Sequence, residues 1–238
     1  MKAPYGLQII ENCIACPMLK DRVFCNLPHD ALAGLDAISS ASTYPKGAVL
    51  FVEGQEPRGV FILCKGRVKL FSASAMGKSI IFRIAESGEI IGLPGTLSGQ
   101  AFELTAEALE PTQANFIHRE DFLRFLREHG ETALRVAEML SKIYYATCKE
   151  VRYLGLSSSA VEKLARFLLD LNVGKGSEKE PARVTLTLTH EEIANMIGTS
   201  RETVTRLIAG FKRKHLIEVR GSALIIKNKE ALLGMLEA

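Results

Sequence analysis

The chain has 238 residues, 47% hydrophobic and 24% charged, an ordinary balance for a soluble globular protein with room for two modest cores. Its formal charge of +3 sits in the C-terminal part: residues 1–156 carry 17 basic and 17 acidic side chains, and residues 157–238 carry 13 and 10. No apolar run nears the roughly 18 residues of a membrane span and no export signal precedes Cys13, which excludes a membrane protein and a secreted disulfide scaffold.

A cytoplasmic chain is therefore expected, with its cysteines reduced. Cys13, Cys16 and Cys25 stand in C-x2-C-x8-C spacing, ahead of a helical pattern through Leu32, Leu35 and Ile38. Thiolates two residues apart converge readily on one soft metal, so zinc or an iron–sulfur cluster is the functional expectation. Three ligands are one short of a closed tetrahedral site. The alternatives are reduced cysteines packing a small N-terminal cap, or a reversible dithiol of Cys13 or Cys16 with Cys25.

From about residue 44 to 117, glycines at close intervals cut the sequence into short runs: AVLFV, GVFILC, RVKLF, SIIFRI, FELTAEAL and QANFI. These are rich in β-branched and aromatic residues, and their even spacing predicts an antiparallel sandwich or barrel. A short amphipathic helix follows at 119–127, carrying Phe122, Leu123, Phe125 and Leu126, and Gly130 breaks it. Residues 131–154 then run without proline or glycine, and their apolar arc is too wide for a helix lying on one surface. Part should cover the barrel and part should meet a second copy, with Cys148 near that seam. Gly155 is expected to end the helix, and Ser157, Ser158 and Ser159 to cap the next.

Residues 188–226 carry the most specific pattern. Thr189 with Glu192 is a capping box, Ile193, Met196 and Ile197 share a face, and Gly198 closes that helix. Thr199 or Ser200 caps the next, in which Val204, Leu207, Ile208 and Phe211 form one buried stripe. The opposite face carries Arg201, Glu202, Thr205, Arg206, Lys212 and Arg213. Such a face suits the DNA major groove, where arginine forks onto guanine and glutamate accepts from the cytosine amino group. The plainer alternative is a solvated face with Glu202 and Arg206 as an i,i+4 ion pair. Two strand patterns around Arg220-Gly221-Ser222 read as a wing, and a short terminal helix follows Asn228.

With SRETVTR at 200–206 preceded by an EIANMIGT helix and followed by a wing, the chain resembles the CRP/FNR family of transcription regulators. The resemblance implies an α+β fold: an N-terminal antiparallel β-roll (a double-stranded β-helix), a long dimerisation helix and a C-terminal winged helix-turn-helix. The expected divisions are a cysteine segment at 1–26, the β-roll at 27–130, the dimerisation helix at 131–156 and the DNA-binding domain at 157–238. Arg201, Glu202 and Arg206 would read bases. Thr189, Ser200 and Thr203 would give hydroxyls to phosphates, which set register without reading sequence. The Arg, Glu, Arg arrangement resembles the cyclic-AMP receptor branch, so a palindromic operator with half-sites of the TGTGA kind is expected. A palindrome needs two-fold symmetry, hence a homodimer, and a regulator of this kind implies RNA polymerase as a further partner.

The same resemblance predicts how the signal enters. Cyclic-AMP binding in this fold takes a glycine–glutamate pair and an arginine–serine pair; here Gly92 is followed by Leu93, and the second pair falls on Phe102 and Glu103. A carboxylate facing a cyclic phosphate repels it, so cyclic AMP is not expected. The oxygen-sensing branch carries an N-terminal cysteine cluster completed by a barrel cysteine, but Asn115 stands at that position and Cys64 lies in another strand. An iron–sulfur centre ahead of zinc on Cys13, Cys16 and Cys25, completed by a carboxylate or Cys64, is one expectation. A small ligand in the barrel, with incidental cysteines, is the alternative. No catalytic constellation stands out, and His29, His118, His129, His190 and His215 show no ligand spacing.

Overall fold

The computed structural model describes residues 4–16, 19, 24–156, 159–171, 183–185, 188–220 and 223–236. The chain divides into two units, Met1–Ala146 and Thr147–Ala238. The first begins with α1 (His29–Ala37), β1 (Ser40–Tyr44), β2 (Val49–Phe51), β3 (Gly59–Lys65), β4 (Val68–Ala73) and β5 (Ser79–Ala85). It continues through β6 (Ile90–Ile91), α2 (Leu93–Ser98), β7 (Thr105–Ala108), β8 (Thr112–His118), α3 (Arg119–Glu128) and the start of α4 (Gly130–Leu156).

The strands form two four-stranded antiparallel sheets, ordered β1-β8-β3-β6 and β2-β7-β4-β5. This is the expected β-roll. Strand β3 shows why its sequence lacks alternation: Phe61 and Leu63 enter the core between the sheets, while Val60 and Ile62 enter a second core on the outer face. Both faces are covered, so both carry apolar residues. The inner core is aromatic, with Phe51 stacked on Phe102 at 4.1 Å and on Phe61 at 5.9 Å. The outer core packs α1, α3 and Val136 of α4 against Val60, Ile62 and Ile117, and takes in Cys13, Phe24 and Cys25.

Three elements were not anticipated. Strand β1 is the polar run SASTY, β6 is two residues long, and α2 begins at the Leu93-Pro94 step. Each is held by neighbours, not by local propensity: β1 pairs along its whole length with β8, from Ser40 opposite Phe116 to Tyr44 opposite Thr112. Gly155 also does not end α4, which runs on to Leu156. One glycine costs a helix only about 1 kcal/mol against alanine, too little to break a long one.

The second unit packs α5 (Ala160–Asp170), α6 (His190–Ile197), α7 (Arg201–Arg213) and α8 (Lys229–Gly234) around one core, with β9 (Arg183–Thr185), β10 (Ile217–Arg220) and β11 (Ala223–Ile226) as an antiparallel sheet in the order β10-β11-β9. Ser159 caps α5, its side chain accepting the Glu162 N–H. Ser157, Ser158, the 174–177 loop and the wing tip at Gly221 and Ser222 lie outside the described residues. No helix among the described residues is long and apolar enough to cross a membrane.

Two glycines give substitutions of opposite sign. A Cβ at Gly59 would stand 1.9 Å from the Ile117 carbonyl oxygen, so β3 and β8 approach closely only because that side chain is missing. Gly59→Ala should destabilise the N-terminal unit by at least about 3 kcal/mol in urea denaturation. Gly210, inside α7, meets nothing within 4 Å, and Gly210→Ala should stabilise the C-terminal unit by about 0.5–1 kcal/mol.

Candidate nucleic-acid interface and cysteine site

The helix-turn-helix is built by its caps. Thr189 Oγ1 accepts the Glu192 N–H at 3.2 Å and Glu192 Oε2 accepts the Thr189 N–H at 2.7 Å, a complete capping box at the start of α6. Gly198 ends α6 in the left-handed conformation, at φ 65°. Ser200, rather than Thr199, caps α7: its Oγ accepts the Thr203 N–H at 3.2 Å and lies 3.0 Å from the Thr203 hydroxyl.

These caps set the phase of α7. Val204, Ile208 and Phe211 are buried with Ile193, Ala194 and Ile197 of α6, which leaves Arg201, Glu202, Thr205 and Arg206 exposed. No ion pair joins Glu202 to Arg206 among the described residues, so the pairing considered from spacing does not form. Thr205 is engaged within the protein: its hydroxyl donates to the Arg201 carbonyl at 2.9 Å and sits 2.9 Å from His190 Nδ1. Sequence reasoning missed His190. Its place directly after the Thr189 cap, where the start of α6 faces α7, was the available signal.

All three N-terminal cysteines are buried, with Cys13, Cys16 and Cys25 between 6% and 9% exposed. The Cys13 backbone N–H donates to Asp36 Oδ1 at 2.6 Å, its thiol also hydrogen-bonds Asp36, and Asn115 Nδ2 donates to its sulfur at 3.4 Å. Burial pushes the Cys13 thiol up to about 12, helped by the Asp36 hydrogen bond and charge and, to a lesser extent, by Cys64 and Cys25. Such a thiol stays protonated near neutral pH and is a poor partner for a dithiol switch. Cys16 is not among the groups acting on Cys13, whereas Cys64 is.

The expected metal triad therefore does not fit as it stands. The donor chemistry suits a soft metal, but no three His, Cys, Asp or Glu side chains among the described residues are gathered closely enough to hold one. Cys13 shares a turn with Cys16, whose N–H donates to its carbonyl at 3.3 Å, and is also held by Asp36 of α1 and Asn115 of β8. Asn115, at the position a barrel cysteine would occupy, does face Cys13, and its Oδ1 is buried with no hydrogen-bond partner among the described residues.

Known proteins share this arrangement. A Crp-like helix-turn-helix domain matches residues 162–235 and a cyclic nucleotide-binding domain matches residues 41–129, together more than half of the chain. The chain belongs to the CRP/FNR family. It is a CRP/FNR-type transcription regulator, and the helix-turn-helix regulators of this family bind DNA and are dimers. It is 27% identical over 208 residues to a probable transcriptional regulator of Lacticaseibacillus casei, covering 87% of this chain and 92% of that one. It is 24% identical over 211 residues to a CRP-like cAMP-activated global transcriptional regulator of Mycobacterium tuberculosis, covering 88% and 94%. In fold it is similar to FixK2 from Bradyrhizobium japonicum (TM-score 0.73, 20% identity, covering 83% and 97%) and to CooA from Carboxydothermus hydrogenoformans (0.75, 24%, 89% and 93%).

Within the CRP/FNR barrel, two of the positions that the nucleotide-binding pairs would take carry buried apolar side chains. Leu93 is 1% exposed and Phe102 is 4% exposed, its ring lying over Gly92 and Gly95 where added Cβ atoms would stand 3.0 and 3.2 Å from it. The capping box offers a check on the DNA-binding unit. Thr189→Ala removes the cap hydroxyl of α6 and should destabilise that unit by about 1 kcal/mol, read from its thermal transition.

Proposed function

We propose that this regulator reads a palindromic operator through Arg201, Glu202 and Arg206, and takes its signal through the N-terminal cysteine segment rather than from cyclic AMP. One observation carries the first part: α7 is capped by Ser200 and buries Val204, Ile208 and Phe211, leaving two guanidinium groups and a carboxylate exposed at its N-terminal end. Bidentate arginine on guanine and carboxylate on the cytosine amino group then supply the base reading. Ser200 and Thr203 set register on phosphates, Thr189 joins them once its hydroxyl turns from Glu192 Oε2, to which it donates at 2.9 Å, and Thr205 supports Arg201 through its carbonyl.

The second part rests on chemistry and packing. Cys13 and Cys25 share a core with Val136 of α4, so a change at the cysteines acts directly on the long helix. Leu134, Tyr144, Tyr145 and Val151 of that helix are each more than 60% exposed, a face suited to the second copy. An oxygen, redox or metal signal is the one that soft thiols favour, and an iron–sulfur centre, ahead of zinc, would need Cys13, Cys16 and Cys25 to regroup from the arrangement described above. The stack of Phe51, Phe61 and Phe102 weighs against a small ligand in the barrel. RNA polymerase as a further partner and a cytoplasmic setting complete the proposal.

Two measurements test it. Arg201→Ala and Arg206→Ala should each weaken binding to a TGTGA-type palindrome by about 1–3 kcal/mol at fixed salt, while affinity for scrambled DNA changes far less. An undiminished preference for the palindrome means that another surface reads the bases. Replacing Cys13, Cys16 and Cys25 together by serine should abolish any difference in operator affinity between air and anoxia. Protein purified without oxygen that contains neither iron nor zinc and shows no visible absorption ends the metal reading.

A further inference from the structure

The segment bearing Cys13 lies on β8 through a seat made almost wholly of polar contacts. Gln113 and Asn115, two apart on one face of β8, are 0% and 6% exposed. Gln113 binds the main chain of Ile10 twice, its Oε1 accepting the Ile10 N–H at 2.8 Å and its Nε2 donating to the Ile10 carbonyl at 2.7 Å. Asn115 and Asp36 hold Cys13 as described above. Between residues 7 and 16 only Cys13 and Cys16 are buried, and Ile9 and Ile14 remain 37% and 45% exposed.

A segment held this way has little apolar burial to retain it, and water can replace most of its hydrogen bonds. Such segments open at low free-energy cost compared with the core beneath them. The unpartnered Asn115 Oδ1 is a further cost of the seated form, since a buried acceptor without a donor is unfavourable.

The core that takes in Cys13 also reaches α4. After Cys25, the Asn26 carbonyl accepts a hydrogen bond from Arg135 Nη1, while Arg135 Nη2 is anchored 3.1 Å from Glu131 Oε1 on the same helix. Phe24 and Leu27, on either side, are buried in the core that takes in Val136. We propose that residues 7–16 form a releasable strap, and that Arg135 is the positioning residue through which its seating reaches α4. The inference rests on the reading that the cysteine segment is the sensing element.

The test uses the full chain and two readouts: hydrogen–deuterium exchange of residues 7–16, and operator affinity. Cys13→Ala should raise exchange in the strap and shift the operator Kd by roughly tenfold, within the usual range of allosteric coupling. Ile14→Ala, at an exposed position of the same segment, should stay near the wild type in both. In the Arg135→Ala background Cys13→Ala should still raise exchange but no longer shift the Kd. An equal shift in both backgrounds overturns the role of Arg135, and unchanged exchange in Cys13→Ala overturns the seat. If Ile14→Ala behaves like Cys13→Ala, the segment responds to any substitution; the seat falls and the sensing reading stands. Raised exchange with no shift in Kd removes both.

Discussion

Strand β8 is buried on both faces, and most of what distinguishes this chain follows from that. Ala114 enters the core between the sheets, next to the stacked phenylalanines. Gln113, Asn115 and Ile117 face the other way, towards the N-terminal segment and the helices. A buried strand face is normally apolar, because an unpaired amide there costs more than it returns. Two amides persist on this one because a polypeptide segment lies over them and takes up three of their four polar groups. The barrel is thus both a closed core and a receptor for its own N-terminus, and the one strand joins the two roles.

The DNA-binding unit obeys a simpler rule. Once Thr189 and Ser200 fix where α6 and α7 begin, the apolar stripe of α7 can face its core in only one rotation, and the outward residues follow. That is why this unit was legible from sequence: capping boxes and 3.6-residue periodicity are local signals, and here they agree. The β-roll was legible at the level of class, through glycine punctuation and β-branched runs. Strands β1 and β6 and helix α2 were not, because SASTY, a two-residue strand and a Leu-Pro start carry no local signal and owe their conformation to β8, β3 and the turn at Gly92.

The cysteine segment shows where spacing fails as a guide. C-x2-C proximity is a property of the chain, whereas the position of Cys13 is decided by Asp36 and Asn115, 23 and 102 residues away. Asn115 was marked in the sequence by what it lacked, a thiol, and its contact with Cys13 gives the position a different meaning. His190 was overlooked for a related reason: a lone histidine at a helix start has no signature until the facing helix presents a hydroxyl.

A receptor that closes around a metabolite draws part of its folding stability from that metabolite by mass action, so its resistance to unfolding rises and falls with supply. The Phe51–Phe102 stack is packing that this β-roll supplies from its own side chains, and that share of its stability does not vary with any supply.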